Sequence, residues 1–348
     1  VGNPAERLFG SGYNKTYRTS VMSQIILKQN LDFLTKGLDF TASFSYDVNT
    51  VSIQSRGKYS SLYAVNGVDD ETGLYSLVPK REGDEFLGYI YSNTGDRADE
   101  FKAQFNYERV FNERHRVGAM AMYYQRSFNN LAAGSSILAL PYRKQGLAFR
   151  ATYSYDDRYF IEYNMGYNGS ENFAPKNRYG FFPSVGLGWV ISNEPFFRGA
   201  TEVIQYLKLR GTWGRVGNSQ ISGRRFAYLA TVKDTNDTSY QFGKNMDQTY
   251  GTTAIDEYAV DVTWEIADKT NIGLDMRLLN NKFNLQFDAF KESRKGIYLR
   301  RTSIPSYFGM INNPYGNIGK VENKGIEMSV SYANSWRDWS LSVMGNYS

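Results

Sequence analysis

Cysteine is absent from the 348 residues. No disulfide, thiolate nucleophile or cysteine-based zinc site is therefore possible within them. There is one histidine, His115 in "NERHR", read as a solvated turn residue. A single histidine excludes a histidine-cluster metal site, and its expected place in a turn argues against a Ser-His-Asp set. Proline is scarce, at 8 residues, and no apolar run approaches the roughly 18 residues that a membrane helix needs. Charge of neither sign dominates: 40 Lys and Arg are interleaved with 35 Asp and Glu, without a basic stripe. Nucleic-acid binding is not expected from that pattern. The mean hydropathy of -0.50 reads as soluble, but a membrane β-strand alternates lipid-facing and lumen-facing residues and keeps a low average.

What the chain has is aromatic residues and glycine: 28 Tyr, 22 Phe and 32 Gly. That mixture favours strands joined by turns. In "YSYDDRYFIEYNMGYNGSENF", Tyr159, Ile161, Tyr163, Met165 and Tyr167 take every second position, with Glu162, Asn164, Gly166 and Asn168 between them. Such a strand has one apolar and one polar face. Similar alternation carries Leu38 to Tyr46, Phe101 to Tyr107, Leu147 to Tyr155, Leu285 to Ala289 and Ile326 to Tyr332. Period two predicts about twelve long strands, near 18–34, 37–55, 98–112, 115–127, 143–156, 157–169, 180–193, 205–216, 258–279, 282–300, 321–333 and 338–348.

The connections alternate between two classes. Tight turns fall at 35–37, 112–114, 156–157, 280–281 and 334–338, with a longer link at 193–205 on the same side. Long links fall at 56–97, 128–142, 170–179, 217–257 and 301–320. Chain reversal at each strand puts all short turns at one end and all long loops at the other, as in an outer-membrane barrel. The alternative is a soluble extracellular β-sandwich that binds glycans, its apolar faces packed on each other. Strand length and the Tyr, Phe and Trp content of the apolar faces favour the barrel.

Local motifs add no chemistry. "VGLGWV" (185–190) lacks the third glycine and following helix of a nucleotide loop. "KDTNDTS" (233–239), with Asp234, Asn236 and Asp237, lacks the glycine and closing glutamate of a calcium loop, and "VDDETG" (68–73) is read alike. No carboxylate sits in an apolar setting suited to glycoside hydrolysis, so neither an enzyme nor a metal or cofactor site is expected. The long loops 217–257 and 301–320 carry Arg224, Arg225, Tyr228, Tyr240, Tyr250, Tyr307 and Tyr315 among polar residues. Tyrosine offers a flat apolar face and a polar tip, which suits an oligosaccharide or peptide. Arg224, Tyr228, Tyr240, Tyr250 and Tyr307 are the candidate ligand-binding residues.

"RYFIEYNMGYNGSENFAPKNRYGFFPSVGLGWVISNEPFF" (158–197), "LKLRGTWGRVGN" (207–218), "WEIADKTNIGLDMRLLNNKFNLQFDAFKESRKGI" (264–297), "SIPSYFGM" (303–310) and "NIGKVENKGIEMSVSY" (317–332) resemble successive barrel segments of the SusC/RagA family. These are TonB-dependent outer-membrane transporters of Bacteroidetes-type bacteria. The resemblance implies that 1–348 is a partial TonB-dependent receptor barrel domain, roughly twelve of about 22 antiparallel strands. Members also carry a signal peptide, a TonB box, a plug and further strands, none of which is seen here; a longer chain is expected. The implied function is import of oligosaccharides or peptides across the bacterial outer membrane. The implied partners are a SusD-like lipoprotein, TonB–ExbB–ExbD acting through the plug region, the ligand and outer-membrane lipid. Gln104, Asn106, Glu162, Asn164, Gln286 and Asp288 are expected to face the lumen.

Overall fold

The computed structural model describes residues 8–310 and 312–348; for 233–240, 248–254, 256 and 306 only the backbone is described. The strands are β1 (Gly12–Asn30), β2 (Leu38–Gly57), β3 (Leu62–Val68), β4 (Tyr75–Arg81), β5 (Gly88–Phe111), β6 (His115–Asn130), β7 (Tyr142–Tyr155) and β8 (Tyr159–Ser170). They continue with β9 (Tyr179–Val190), β10 (Ile204–Asn218), β11 (Thr231–Phe242), β12 (Gln248–Glu257), β13 (Glu265–Leu278), β14 (Phe283–Arg300), β15 (Tyr315–Trp336) and β16 (Trp339–Tyr347).

Twelve of them form one sheet in the order β1-β2-β5-β6-β7-β8-β9-β10-β13-β14-β15-β16. Apart from two excursions, each strand pairs with its neighbours in sequence. The excursions are separate hairpins, β3-β4 and β11-β12, within the long connections. Among the described residues β1 and β16 have one neighbour each, so the sheet is open, as in part of a barrel. No helix among them is long and apolar enough to cross a membrane.

By contacts the chain forms two units. One comprises the described residues within 1–24, 45–99 and 128–141; the other comprises those within 25–44, 100–127 and 142–348. The first holds the β3-β4 hairpin and the loop-side ends of β2 and β5. The second holds all of β7–β10 and β13–β16, a run of antiparallel pairs.

The tight turns follow from their residues. Asp156 and Asp157 have φ of 52° and 50°, and Arg158 N–H donates to Tyr155 C=O at 2.9 Å. Asn112 with Glu113, and Asn280 with Asn281, repeat this arrangement. Two left-handed central residues make the type I′ turn, whose twist matches that of paired strands, and Asn and Asp tolerate it best.

Several boundaries differ from the sequence expectation, β1 and β15 each starting six residues early, and three have a visible cause. The first strand ends at Asn30, not near 34. Asn30 Oδ1 accepts Asp32 N–H at 2.7 Å, and Asp32 Oδ1 accepts Gly37 N–H at 2.6 Å. These bonds wrap the apparently strand-like "LDFL" into a turn. β5 starts at Gly88, ten residues before the expected 98. Within the added stretch, Gly95 lets neighbouring backbone close in: a Cβ there would meet Asn49 O at 2.3 Å. β13 starts at Glu265 rather than near 258, because 258–264 is drawn into loop packing.

That packing holds the described apolar core. Phe173, Ile221, Ala227, Val262 and Tyr298 cluster, with Val260, Trp264 and Tyr315 against them. All belong to the long-loop end of the second unit. The sheet itself has no apolar interior of this kind. Ile161, Leu187, Ile272 and Val343 are 49%, 57%, 58% and 55% exposed. A soluble sandwich would cover such side chains; a barrel in lipid leaves them outward.

Candidate functional site

In β8 the apolar set is exposed at Tyr159, Ile161, Tyr163 and Tyr167, while Phe160, Glu162, Asn164 and Asn168 are half-buried. Glu162 pairs with Arg150 of β7 at 3.0 Å and accepts from Asn164 Nδ2 at 2.9 Å. On β5, Gln104 bonds to Asn106, which donates to Asp39 of β2 at 2.9 Å. The polar face is thus a surface of mutually bonded side chains.

Its densest part crosses five strands. Gly188 lies opposite Arg210, Arg210 opposite Gly273, Gly273 opposite Asp288, and Asp288 opposite Glu327. The Arg210 guanidinium passes over Gly273 and donates to Asp288 Oδ2 at 2.7 Å. It also reaches Asp275 Oδ2 at 3.2 Å and Asn271 Oδ1 at 3.4 Å. Gln286 Nε2 donates to the same Asp288 oxygen at 3.3 Å. A Cβ on Gly273 would lie 2.4 Å from the guanidinium carbon. A missing side chain on one strand therefore gives the arginine its path to the next but one.

Of the sequence candidates, Gln286 and Asp288 join this row, and the Glu162–Asn164 and Gln104–Asn106 pairs form polar clusters of their own. Arg210, Asp275, Glu327 and Arg150 escaped sequence reasoning. Lys269, Asn271, Asp275 and Arg277 do recur at even spacing along β13, and that alternation was the available signal.

The loop candidates are more dispersed. Arg224 pairs with Glu257 at 2.9 Å and lies 4.2 Å over the Tyr315 ring. Its neighbour Arg225 is buried, paired with Glu171 and 3.8 Å over the Tyr142 ring. Tyr228 is half-buried, edge-on to Phe226 at 6.2 Å. Tyr307 is 83% exposed and stacked on Phe308 at 5.2 Å. Tyr240 and Tyr250 are backbone partners across β11-β12, but their side chains lie outside the described residues. So do those of Asp234, Asn236 and Asp237. In "VDDETG", Asp69 accepts the N–H groups of Glu71 and Thr72 at 3.0 and 2.9 Å and so closes the β3-β4 turn. His115 is not a solvated turn residue: it opens β6, half-buried, with Nδ1 2.8 Å from the Tyr153 hydroxyl and its ring on Tyr155.

At the short-turn end, "GWVISNE" acquires a physical meaning. Two 3-10 turns, Ile191–Asn193 and Pro195–Ala200, fold Glu194 back beneath β8 and β9. Buried Glu194 accepts from Trp189 Nε1 at 3.1 Å and Arg158 Nη1 at 3.2 Å. Hydrogen bonds from the Tyr159 hydroxyl and the Trp189 indole, then Arg158, hold its carboxyl below the usual glutamate range.

A long antiparallel sheet with an uncovered apolar face, a polar bonded face, type I′ turns at one end and long loops at the other defines an outer-membrane β-barrel. Residues 3–348 match the family model described as "TonB dependent receptor-like, beta-barrel", and the chain belongs to that family, of the SusC/RagA type. It is a protein of the bacterial outer membrane. TonB-dependent receptor P3 of Formosa agariphila is 27% identical over 90% of this chain and 31% of its own length. TonB-dependent receptor SusC of Bacteroides thetaiotaomicron is 34% identical over 52% of this chain and 18% of its own. The solved RagAB peptide transporter superposes with a TM-score of 0.71 at 18% identity, over 97% of this chain and 37% of that one. The chain spans about a third of the length of the first of these relatives.

Proposed function

We propose that this chain is barrel wall of a TonB-dependent importer that carries oligosaccharides or peptides across the outer membrane. The observation that carries the reading is the polar face, with the row from Arg210 to Glu327 at its densest. Hydrogen-bonded polar side chains on one face and uncovered apolar ones on the other suit a water-filled or plugged lumen inside lipid. In this reading Gln104, Asn106, Glu162, Asn164, Gln286 and Asp288 line the lumen or hold a plug. Arg224, Tyr228, Tyr240, Tyr250 and Tyr307 belong to the ligand-receiving loop side, where a SusD-like lipoprotein would close over the mouth. TonB–ExbB–ExbD would act through the plug region, and the protein makes and breaks no bond of its ligand. The relatives support this: one is a SusC, another structure is named a peptide transporter.

Uptake tests it. Cells with the full-length protein should accumulate fluorescent oligosaccharides or peptides of one class, and deletion of TonB or of the lipoprotein should abolish accumulation. Uptake unchanged by both deletions would refute the reading.

A further inference from the structure

Within the first unit, a cleft of about 1090 Å³ lies where the start of β1, the end of β2, the base of the β3-β4 hairpin and the start of β5 meet. Its size suits a small oligosaccharide. Three cations line it, Arg56, Lys58 and Arg81, against one carboxylate, Asp84. None of the three forms an ion pair with a described residue. Asp84 Oδ2 accepts Tyr59 N–H within the same wall at 2.9 Å.

The walls are built rather than incidental. Asp84 N–H returns a bond to Tyr59 C=O at 2.8 Å, and Gly83 N–H donates to Ser61 Oγ at 3.0 Å. A Cβ on Gly83 would meet Tyr59 O at 2.3 Å, so only glycine lets the two segments touch. Lys58 N–H donates to Ser11 C=O at 3.1 Å. The guanidinium of Arg56 lies 4.5 Å over the Tyr89 ring, and that of Arg81 lies 5.2 Å over Tyr59. Arg81 Nη2 also donates to Ser60 C=O at 3.3 Å, and the donor edges that remain on the two guanidinium groups can hold an anion by hydrogen bonds.

We propose that this cleft binds an anionic saccharide, one bearing carboxylate or sulfate groups, as a subsite for the imported ligand; the inference rests on the import reading above. Among the described residues three cations face one carboxylate, an excess that calls for an anion, and tyrosine faces suit sugar rings. Peptide capture by strand addition is disfavoured, because backbone N–H groups at 58, 59, 83 and 84 are already bonded.

The test is calorimetric titration of the full-length protein in detergent at physiological salt. The probes are tetragalacturonate, neutral galactotetraose, tetraglutamate and phosphorylated lipopolysaccharide. Tetragalacturonate should bind at least about tenfold tighter than the other three. Arg56→Ala with Arg81→Ala should bring it to the neutral level. Lys291→Ala, a cation of the other unit paired with Glu322, should change nothing. The double Lys variant, Arg56→Lys with Arg81→Lys, keeps the charge and should bind between the two; heat-modifiable migration on gels reports folding for each. Equal binding of the two saccharides, tetragalacturonate binding that survives the double alanine change, or preference for the peptide or lipopolysaccharide would overturn the proposal. TonB-dependent uptake without preference for the acidic saccharide would refute this subsite and leave import standing. Absence of TonB-dependent uptake of any probe would refute the import reading itself.

Discussion

Arg210 of β10 reaches across the bare backbone of Gly273 in β13 to donate to Asp288 of β14 at 2.7 Å. Three strands are tied by one side chain, and the tie needs the glycine. Gly273→Val should push the guanidinium away from Asp288, while Arg210→Met should leave that carboxylate with no cation. Each should destabilise the full-length barrel by about 1–3 kcal/mol, the cost of stranding a partly buried polar group. In Arg210→Met, the further change Asp288→Leu should recover part of the loss. Urea unfolding in lipid vesicles, run as a double-mutant cycle, measures this; strictly additive losses would contradict the coupling.

The two faces of the sheet should respond differently to charge. Ile272 is 58% exposed on the apolar face of β13, and Ile272→Arg places a cation against hydrocarbon. A loss of about 2–4 kcal/mol is expected if the site lies near the bilayer midplane. Gln286→Arg, on the face shared with Asp288 and Asp275, should cost far less. The same vesicle titration compares them, and equal losses would reverse the assignment of faces.

Glu194 gives the fold a pH dependence of known sign. Its carboxyl is held below the usual range by Tyr159, Trp189 and Arg158. A depressed folded-state value contributes stability that is present above the ordinary glutamate range and lost as pH falls through the folded value. Wild type should therefore exceed Glu194→Gln in thermal midpoint at neutral pH. The gap should hold down to the ordinary glutamate range and then close with further acidification. A gap that widened with acid would contradict the environment described.

Twelve strands and two loop classes were legible in the sequence because period-two alternation survives wherever one face meets lipid and the other meets polar groups. The hairpins β3-β4 and β11-β12 were not: segments such as "LYAVNGVDDETGLYSLVPK" carry the polar and glycine content of a loop. "LDFL" at 31–34 misled for the opposite reason, since its apolar spacing mimics a strand while Asn30 and Asp32 make a turn. The Arg210–Asp288 tie was illegible because it depends on the register of β10 against β13, strands separated by the long 219–264 connection. Glu194 was visible only as part of the 158–197 stretch that resembles the family. Its partners Arg158 and Trp189 meet it only after β8 and β9 pair.

Sidedness tests the account most directly, because the barrel topology requires the loops at 301–314 and the turn at 279–282 to lie on opposite sides of the outer membrane. The segment contains no cysteine, so single cysteines can be placed within it without local background. In intact cells making the full-length protein, Tyr307→Cys, in the exposed loop, should react with a membrane-impermeant maleimide. Asn281→Cys, in the type I′ turn, should stay unlabelled until the outer membrane is breached. Labelling of Asn281→Cys as fast as Tyr307→Cys in sealed cells would contradict the transmembrane barrel.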